Sequence, residues 1–315
     1  MPTDILCPLC RGSNQTLITS KVRFDREADV YRCGGCGLVY LDQASFTFPE
    51  DFYRSDYHQT YLTHVEPDAL NPAAYYEKMK KSTAPWAERV RTMLTGKERV
   101  LDMGCSTGHL MTAIQDKAGS VHGHDLNKKE VAFCCSELGL DVADTPLEQR
   151  FEPESFDLIV MLYVLEHLAD PISFLGYLKN FLKPGGSMVI LVPNVRDPLV
   201  NLFDIPEFRS FYYCIEHLYY YDANTLGMVM ERAGLDADIQ TLQEYPLANH
   251  LNWGYLKKPS DTLAARKGLP SIDLAEDAPH EDWTRLWSEL DQTYRRFLSD
   301  NSYGDRLWCI ARHKG

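Results

Sequence analysis

Four cysteines in two close pairs, Cys7-Pro-Leu-Cys10 and Cys33-Gly-Gly-Cys36, are the strongest chemical signal in the chain. Two such knuckles, joined by a segment long enough to fold back as a hairpin, can present four thiolates tetrahedrally to one Zn²⁺ at about 2.3 Å. Gly34, Gly35 and Gly37 free the backbone for the turns of the second knuckle. A thioredoxin-like redox dithiol needs only one such pair at a helix start, so structural zinc is preferred over redox chemistry for Cys7, Cys10, Cys33 and Cys36. With all four positions filled by protein, the site would be closed and non-catalytic.

A second constellation is Val100-Leu101-Asp102-Met103-Gly104-Cys105-Ser106-Thr107-Gly108, an apolar strand running into a glycine loop that opens a helix. Gly104 and Gly108 would let the loop approach a ligand, and Asp102 stands at the strand's carboxyl end, where α/β sheets bind ligands. The dinucleotide fingerprint GxGxxG is absent, because Ser106 and His109 stand where it needs glycine. Asp125 follows Gly104 by 21 residues, at the end of the next apolar run. That is the distance at which an acidic side chain grips ribose hydroxyls. Asp144 ends a third run, Phe156 to Met161 forms a fourth strand leading into Leu162-Tyr163-Val164-Leu165-Glu166-His167, and Lys183-Pro184-Gly185-Gly186 turns into Ser187 to Val192. A plainer reading makes Asp125 and Asp144 turn-forming or helix-capping carboxylates.

The elements that must position these groups follow from the rhythm of the chain. From Arg99 onward, short apolar runs alternate with amphipathic stretches, the pattern of βαβ units in a parallel sheet. Three divisions result: residues 1–44 as a zinc-binding module, 45–98 as a Tyr-rich, helical segment, and 99–315 as an α/β domain interrupted at about 246–303. Helices are expected over Ala73–Leu94, Asp222–Ala233 and Glu281–Leu298, with strands around Ile239 and over Arg306–Arg312. The 315 residues, 44% hydrophobic, suffice for one large domain plus a small module. A net charge of −13 without a long basic run counts against nucleic acid as a partner and favours a small molecule. No signal-peptide pattern and no membrane-length apolar run is present, so a reducing cytoplasm is expected, with the nine cysteines as thiols or metal ligands.

Together the runs over about residues 99–240 resemble the motifs of class I S-adenosylmethionine-dependent methyltransferases. The resemblance implies a Rossmann-like fold, with a mainly parallel seven-stranded sheet flanked by helices. It implies a cofactor site built from Asp102, Gly104, Cys105, Gly108, Asp125, Leu126, Asp144 and Leu162, with Asp125 on the ribose, Asp144 at the adenine edge and Leu162 on the cofactor's far side. Ser106 stands where the family commonly has glycine. With the zinc knuckle added, the chain resembles zinc-containing C-methyltransferases of nucleotide-linked keto-deoxysugars and related small-molecule enzymes. Leu165-Glu166-His167 and Glu216-His217 before Leu218-Tyr219-Tyr220-Tyr221 fit that group. Ile215, where the group has tyrosine, and a length that leaves no room for its C-terminal domain do not.

Methyl transfer to a hydroxyl or an acidic carbon needs a base, and histidine has a suitable pKa. His167 and His217 are the candidates, with Glu166 or Glu216 as partners; a bland reading makes them a backbone-bonded residue and a core-edge residue. Ubiquinone-type O-methyltransferases carry Glu-x-x-Glu-His at this point; Tyr163 replaces the first glutamate, which counts against a divalent-metal catechol site. Phe52, Tyr53, Tyr57, Tyr61, Tyr75 and Tyr76, with Trp253, Trp283 and Trp287, could form an aromatic lid, though buried packing is the commoner use. The rival functions are an RNA or protein methyltransferase that reads its substrate with the knuckle, and a non-catalytic protein that keeps the cofactor fold. Oligomeric state is not legible.

Overall fold

A computed structural model describes residues 6–43, 70–203, 205–257 and 278–314. The central sheet contains β4 (Arg99–Met103), β5 (Ser120–His124), β6 (Asp141–Ala143), β7 (Phe156–Leu162), β8 (Leu182–Pro193), β10 (Leu235–Leu242) and β11 (Arg306–His313). Their order is β10-β11-β8-β7-β4-β5-β6. Six strands run one way and β11 runs against both its neighbours. The fold class expected from the rhythm of the chain is therefore present. β4 and β7 read as continuous apolar runs because both faces are covered, and Val100, Leu101, Ile159, Val160 and Met161 are fully buried.

Helices α1 (Pro72–Arg91), α2 (His109–Ile114), α3 (Lys128–Ser136), α4 (Pro171–Lys179), α5 (Pro198–Asn201), α6 (Pro206–Tyr212), α7 (Ala223–Arg232), α8 (Leu247–Leu256) and α9 (His280–Asp300) complete the described elements. Local chemistry sets several boundaries. Asn71 accepts from the Ala73 and Ala74 amides with Pro72 at the first helical position. α7 opens on a reciprocal Asp222–Thr225 capping box and is followed by Gly234 at φ 73°. α1 lies against the sheet through Trp86, stacked on Trp308 of β11 with centroids 6.0 Å apart. The 246–303 interval holds α8 as well as the expected α9. No helix of the described residues is long and apolar enough to cross a membrane.

The cysteine-bearing segment is not a bead on a string. β1 (Gln15–Val22) and β2 (Arg26–Cys33) form an antiparallel hairpin, β2 pairs with β3 (Val39–Leu41), and β3 pairs with β9 (Tyr219–Tyr220) of the α/β domain. Val39 faces Tyr220, Tyr40 faces Tyr219, and the Leu41 amide donates to the Leu218 carbonyl at 3.0 Å. One hydrophobic core runs from Cys7, Leu9 and Val30 into Leu101, Met161, Tyr213 and Leu226.

Candidate functional site

A cavity of about 470 Å³ opens at the carboxyl ends of β4, β5 and β7, within the range of small-molecule sites. Met103, Gly104, Ser106 and His109 from the loop and helix after β4 line it, as do His124, Asp125, Leu126 and Asn127 after β5 and Leu162 at the end of β7. Asp125 fastens the two loops together: its Oδ2 accepts from the Ser106 amide and its Oδ1 from the Asn127 amide, both at 2.8 Å. Gly104 has φ 77°, and a Cβ there would stand 2.5 Å from Val164 Cγ2. Close packing with the loop after β7 and a left-handed backbone thus require this glycine. Ser106 keeps a glycine-like φ of 48°, so the backbone here retains the left-handed form that glycine takes most readily.

Other members of the expected cofactor set lie elsewhere. Cys105 is 2% exposed and packs with Met111, Cys134, Leu140 and Val142. Gly108, at φ 74°, is needed because a Cβ would meet Leu140 Cδ1 at 2.5 Å. Both positions are packed into the core and neither lines the cavity. Asp144 is half-buried outside the cavity wall. Asp102 also lies outside the wall; it is buried, with Oδ2 making no hydrogen bond, and burial and then the Asp125 charge push its carboxyl up to about 8.

The same cavity is lined by Tyr75, Met79 and Thr83 of α1, by Glu130 of α3, and by Tyr163, Val164, Glu166, His167, Leu168, Phe174 and His217. Glu166 and His167 sit on a single helical turn after β7. His217 comes from the segment between α6 and β9. The ligand atoms of these three lie within 4.8 Å of one another, and the two imidazoles meet edge to face with centroids 4.8 Å apart. His167 Nδ1 donates to the Glu216 carbonyl at 2.8 Å; a carbonyl only accepts, so Nε2 carries the lone pair. Burial holds His167 down to about 4 and His217 well below the ordinary histidine value. Glu166 is 1% exposed, neither of its oxygens makes a hydrogen bond, and burial pushes its carboxyl up to about 8.

Glu216 is placed differently from its reading as a catalytic carboxylate. Its backbone carbonyl orients His167, while its side chain faces Arg23 of the N-terminal hairpin at 3.8 Å, outside the cavity wall. Residues given no ligand or catalytic role from sequence, Tyr75, His109, Glu130 and Tyr163, also reach the wall. Tyr75 lay within the aromatic cluster, but no spacing marked the others. Tyr163, at φ 58°, points its hydroxyl away into a polar group, accepting from Arg306 Nε at 2.8 Å and donating to Glu244 at 3.2 Å. Tyr76 and Trp253 are buried packing, and Trp283 stacks on Trp287 away from the cavity wall; Phe52, Tyr53, Tyr57 and Tyr61 lie outside the described residues.

Two donor sets suit a metal. The sulfurs of Cys7, Cys10, Cys33 and Cys36 lie within 4.8 Å of one another, with Cys7 to Cys36 at 3.6 Å and Cys10 to Cys33 at 3.4 Å. Those separations approach the edges of a tetrahedron, about 3.8 Å for sulfurs at about 2.3 Å from Zn²⁺. Backbone amides of Cys10, Gly12 and Gly35 donate to Cys7, Cys10 and Cys33 sulfurs, the bonding that suits thiolates. The second set is Glu166, His167 and His217.

A family profile described as a methyltransferase domain matches residues 75–240. The chain belongs to the methyltransferase family. Among curated relatives, a ubiquinone biosynthesis O-methyltransferase of Pseudomonas aeruginosa is 34% identical over 122 residues, 36% of this chain and 52% of the relative. A Pseudomonas fluorescens counterpart is 33% identical over 122 residues with the same coverage. The methyltransferase thus spans about half the length of the curated relatives it matches. Among solved structures, a SAM-dependent methyltransferase from Archaeoglobus fulgidus aligns over 74% of this chain and 93% of its own at 18% identity and a TM-score of 0.49. Residues 75–240 form a methyltransferase domain, for which the sequence resemblance implies S-adenosylmethionine as methyl donor. Its own residues suit that cosubstrate: a left-handed loop at Gly104 and Ser106, a carboxylate at the end of β5, and a cavity beside them.

Proposed function

We propose that this methyltransferase methylates a hydroxyl or an acidic carbon of a small molecule, with histidine as general base, and that sugar or natural-product intermediates are its substrate class. S-adenosylmethionine supplies a methyl group already activated by its sulfonium. Asp125, with Gly104, Ser106, Leu126 and Leu162, would hold it. The chain's remaining task is to align the acceptor and take its proton. The convergence of Glu166, His167 and His217 in the cofactor cavity carries this reading. His167 Nε2 is free of its proton and fixed in direction by the Glu216 carbonyl, and both imidazoles are held neutral by burial. His217 is assigned as base, with His167 beside it.

A substrate of small size is supported by the size of the cavity and by the O-methyltransferase name of the Pseudomonas relatives. No lysine or arginine lines the cavity wall among the described residues, which argues against an RNA backbone there. Zinc is read as structural, bracing the hairpin, and four thiolates held for a metal suit a reducing cytoplasm. Tyr75 and Met79 in the wall support a role for the 45–98 segment in acceptor access.

The deciding experiment measures S-adenosylhomocysteine release from the zinc-loaded enzyme with panels of hydroxylated and keto small molecules, and with RNA and protein extracts. Release with a small molecule that falls sharply in His217→Ala supports the reading. Release only with RNA or protein replaces the substrate class, and unchanged turnover in His217→Ala removes the base.

A further inference from the structure

Helix α9 carries Trp283, Leu286, Trp287, Leu290, Tyr294 and Phe297 at spacings of three and four, an apolar stripe on one face. Only Asp291 and Leu298 of this 21-residue helix are buried. Asp291 accepts from the Leu247 amide at 2.7 Å, Tyr294 Oη reaches His250 Nδ1 at 2.6 Å and Arg295 donates to the Glu244 carbonyl at 2.5 Å, so polar contacts and one leucine do much of the docking. Leu286, Leu290 and Phe297 are 49, 47 and 55% exposed. Leu251 and Tyr255 of the neighbouring α8 are exposed as well. Such a patch marks an interaction site more often than free surface.

The pattern of the stripe limits what can cover it. Trp283, Leu290 and Phe297 recur every seven residues, and Leu286 and Thr293 hold the intervening seam position, the repeat of a two-helix contact. Charged side chains flank the stripe: Glu289 stands one position before Leu290 and Arg296 one position before Phe297, while Arg285 pairs with Asp282 and Arg295 with Asp291 within the helix. A parallel copy would set Glu289 beside the partner's Tyr294, with no charge to pair. An antiparallel copy can set Leu286 against the partner's Phe297 while Glu289 meets the partner's Arg296, and two-fold symmetry makes each pairing twice. We propose that α9 is the contact face of a dimer of this chain, in which the two copies of α9 pack antiparallel. The surface is separate from the cofactor cavity, and the inference does not rest on the substrate reading.

Sedimentation velocity of the full zinc-loaded chain over a dilution series tests it. Wild type is expected at twice the 36.1 kDa chain mass at the upper concentrations. Leu290→Glu should give monomer, with an unchanged far-UV circular dichroism spectrum showing that the fold survives. Glu289→Arg should raise the dimer dissociation constant by about tenfold, and adding Arg296→Glu to it should restore association. A wild type that stays monomeric throughout overturns the proposal and means that something other than a second copy covers the stripe. A dimer indifferent to Leu290→Glu, or a charge swap that fails to restore Glu289→Arg, places the interface elsewhere and overturns it equally.

Discussion

His217 and His167 are neutral imidazoles in a buried setting, one of them aimed by a backbone carbonyl. Replacing His217 by Gln should lower turnover by about 10²- to 10⁴-fold while S-adenosylhomocysteine affinity, read by calorimetry, stays near wild type. A base works only when deprotonated, and burial moves both imidazoles below the ordinary 6.5, His167 to about 4. Turnover should therefore stay level from neutral pH downward and fall only on an acid limb well below 6.5, which a pH–rate profile will read. Asp125→Ala removes a carboxylate that joins two backbone amides as well as the proposed ribose ligand; cofactor affinity should drop roughly ten- to hundredfold, from a loss of about 1.5–3 kcal/mol. Glu166 makes a stability prediction of its own. Its folded pKa, about 8, stands above the unfolded value of 4.5, so the unfolded chain loses its proton first and stability declines as pH rises between them. Glu166→Gln should flatten that decline in urea midpoints measured from pH 5 to pH 9.

At the scale of elements, the sheet was legible because β4, β7 and the later half of β8 are buried on both faces and must be apolar runs, and because Asn71, Asp222 and Gly234 mark helix ends by chemistry that is local. Local signals also located Asp125, since the span from glycine loop to the second strand's end is set by one βαβ unit. Glu166 and His217 were legible as candidates but not as neighbours: their meeting depends on how the segment before β9 crosses the loop after β7, through the Leu218 amide bonded to the Glu166 carbonyl at 2.8 Å. Gly108 and Cys105 are packed in the core, and a glycine or small residue kept for packing looks the same in sequence as one kept for a ligand. The β11 strand holds another contact invisible to spacing. Arg306 pairs with Glu244 at 2.6 Å and donates to Tyr163 Oη, fixing a cavity residue whose φ is 58°. Arg306→Met would leave the buried Asp305 and half-buried Glu244 carboxylates without their cation; a loss of about 3 kcal/mol is expected from denaturant unfolding.

Over the whole molecule, the four-cysteine hairpin and the catalytic domain share both a core and a sheet. β3 pairs with β9 directly after His217. From the turn beyond β1, Arg23 donates to the Phe211 carbonyl at 2.6 Å, lies over the Phe211 ring at 4.1 Å and faces Glu216. The segment that carries His217 is thus gripped on both sides by residues of the hairpin, whereas Asp125 and the Gly104 loop are fastened by contacts within the α/β domain. A metal that closes the cysteine site should therefore act on the acceptor end of the cavity before the cofactor end. Stripping zinc with a strong chelator should lower the melting temperature and abolish acceptor methylation while S-adenosylhomocysteine binding declines far less, and re-added zinc should restore both. Arg23→Ala, which leaves the cysteines untouched, should reproduce the selective part of that loss, lowering turnover with zinc content, measured by elemental analysis, at one per chain. Equal loss of cofactor binding and turnover on chelation would mean instead that the hairpin holds up the domain as a whole and has no special hold on His217.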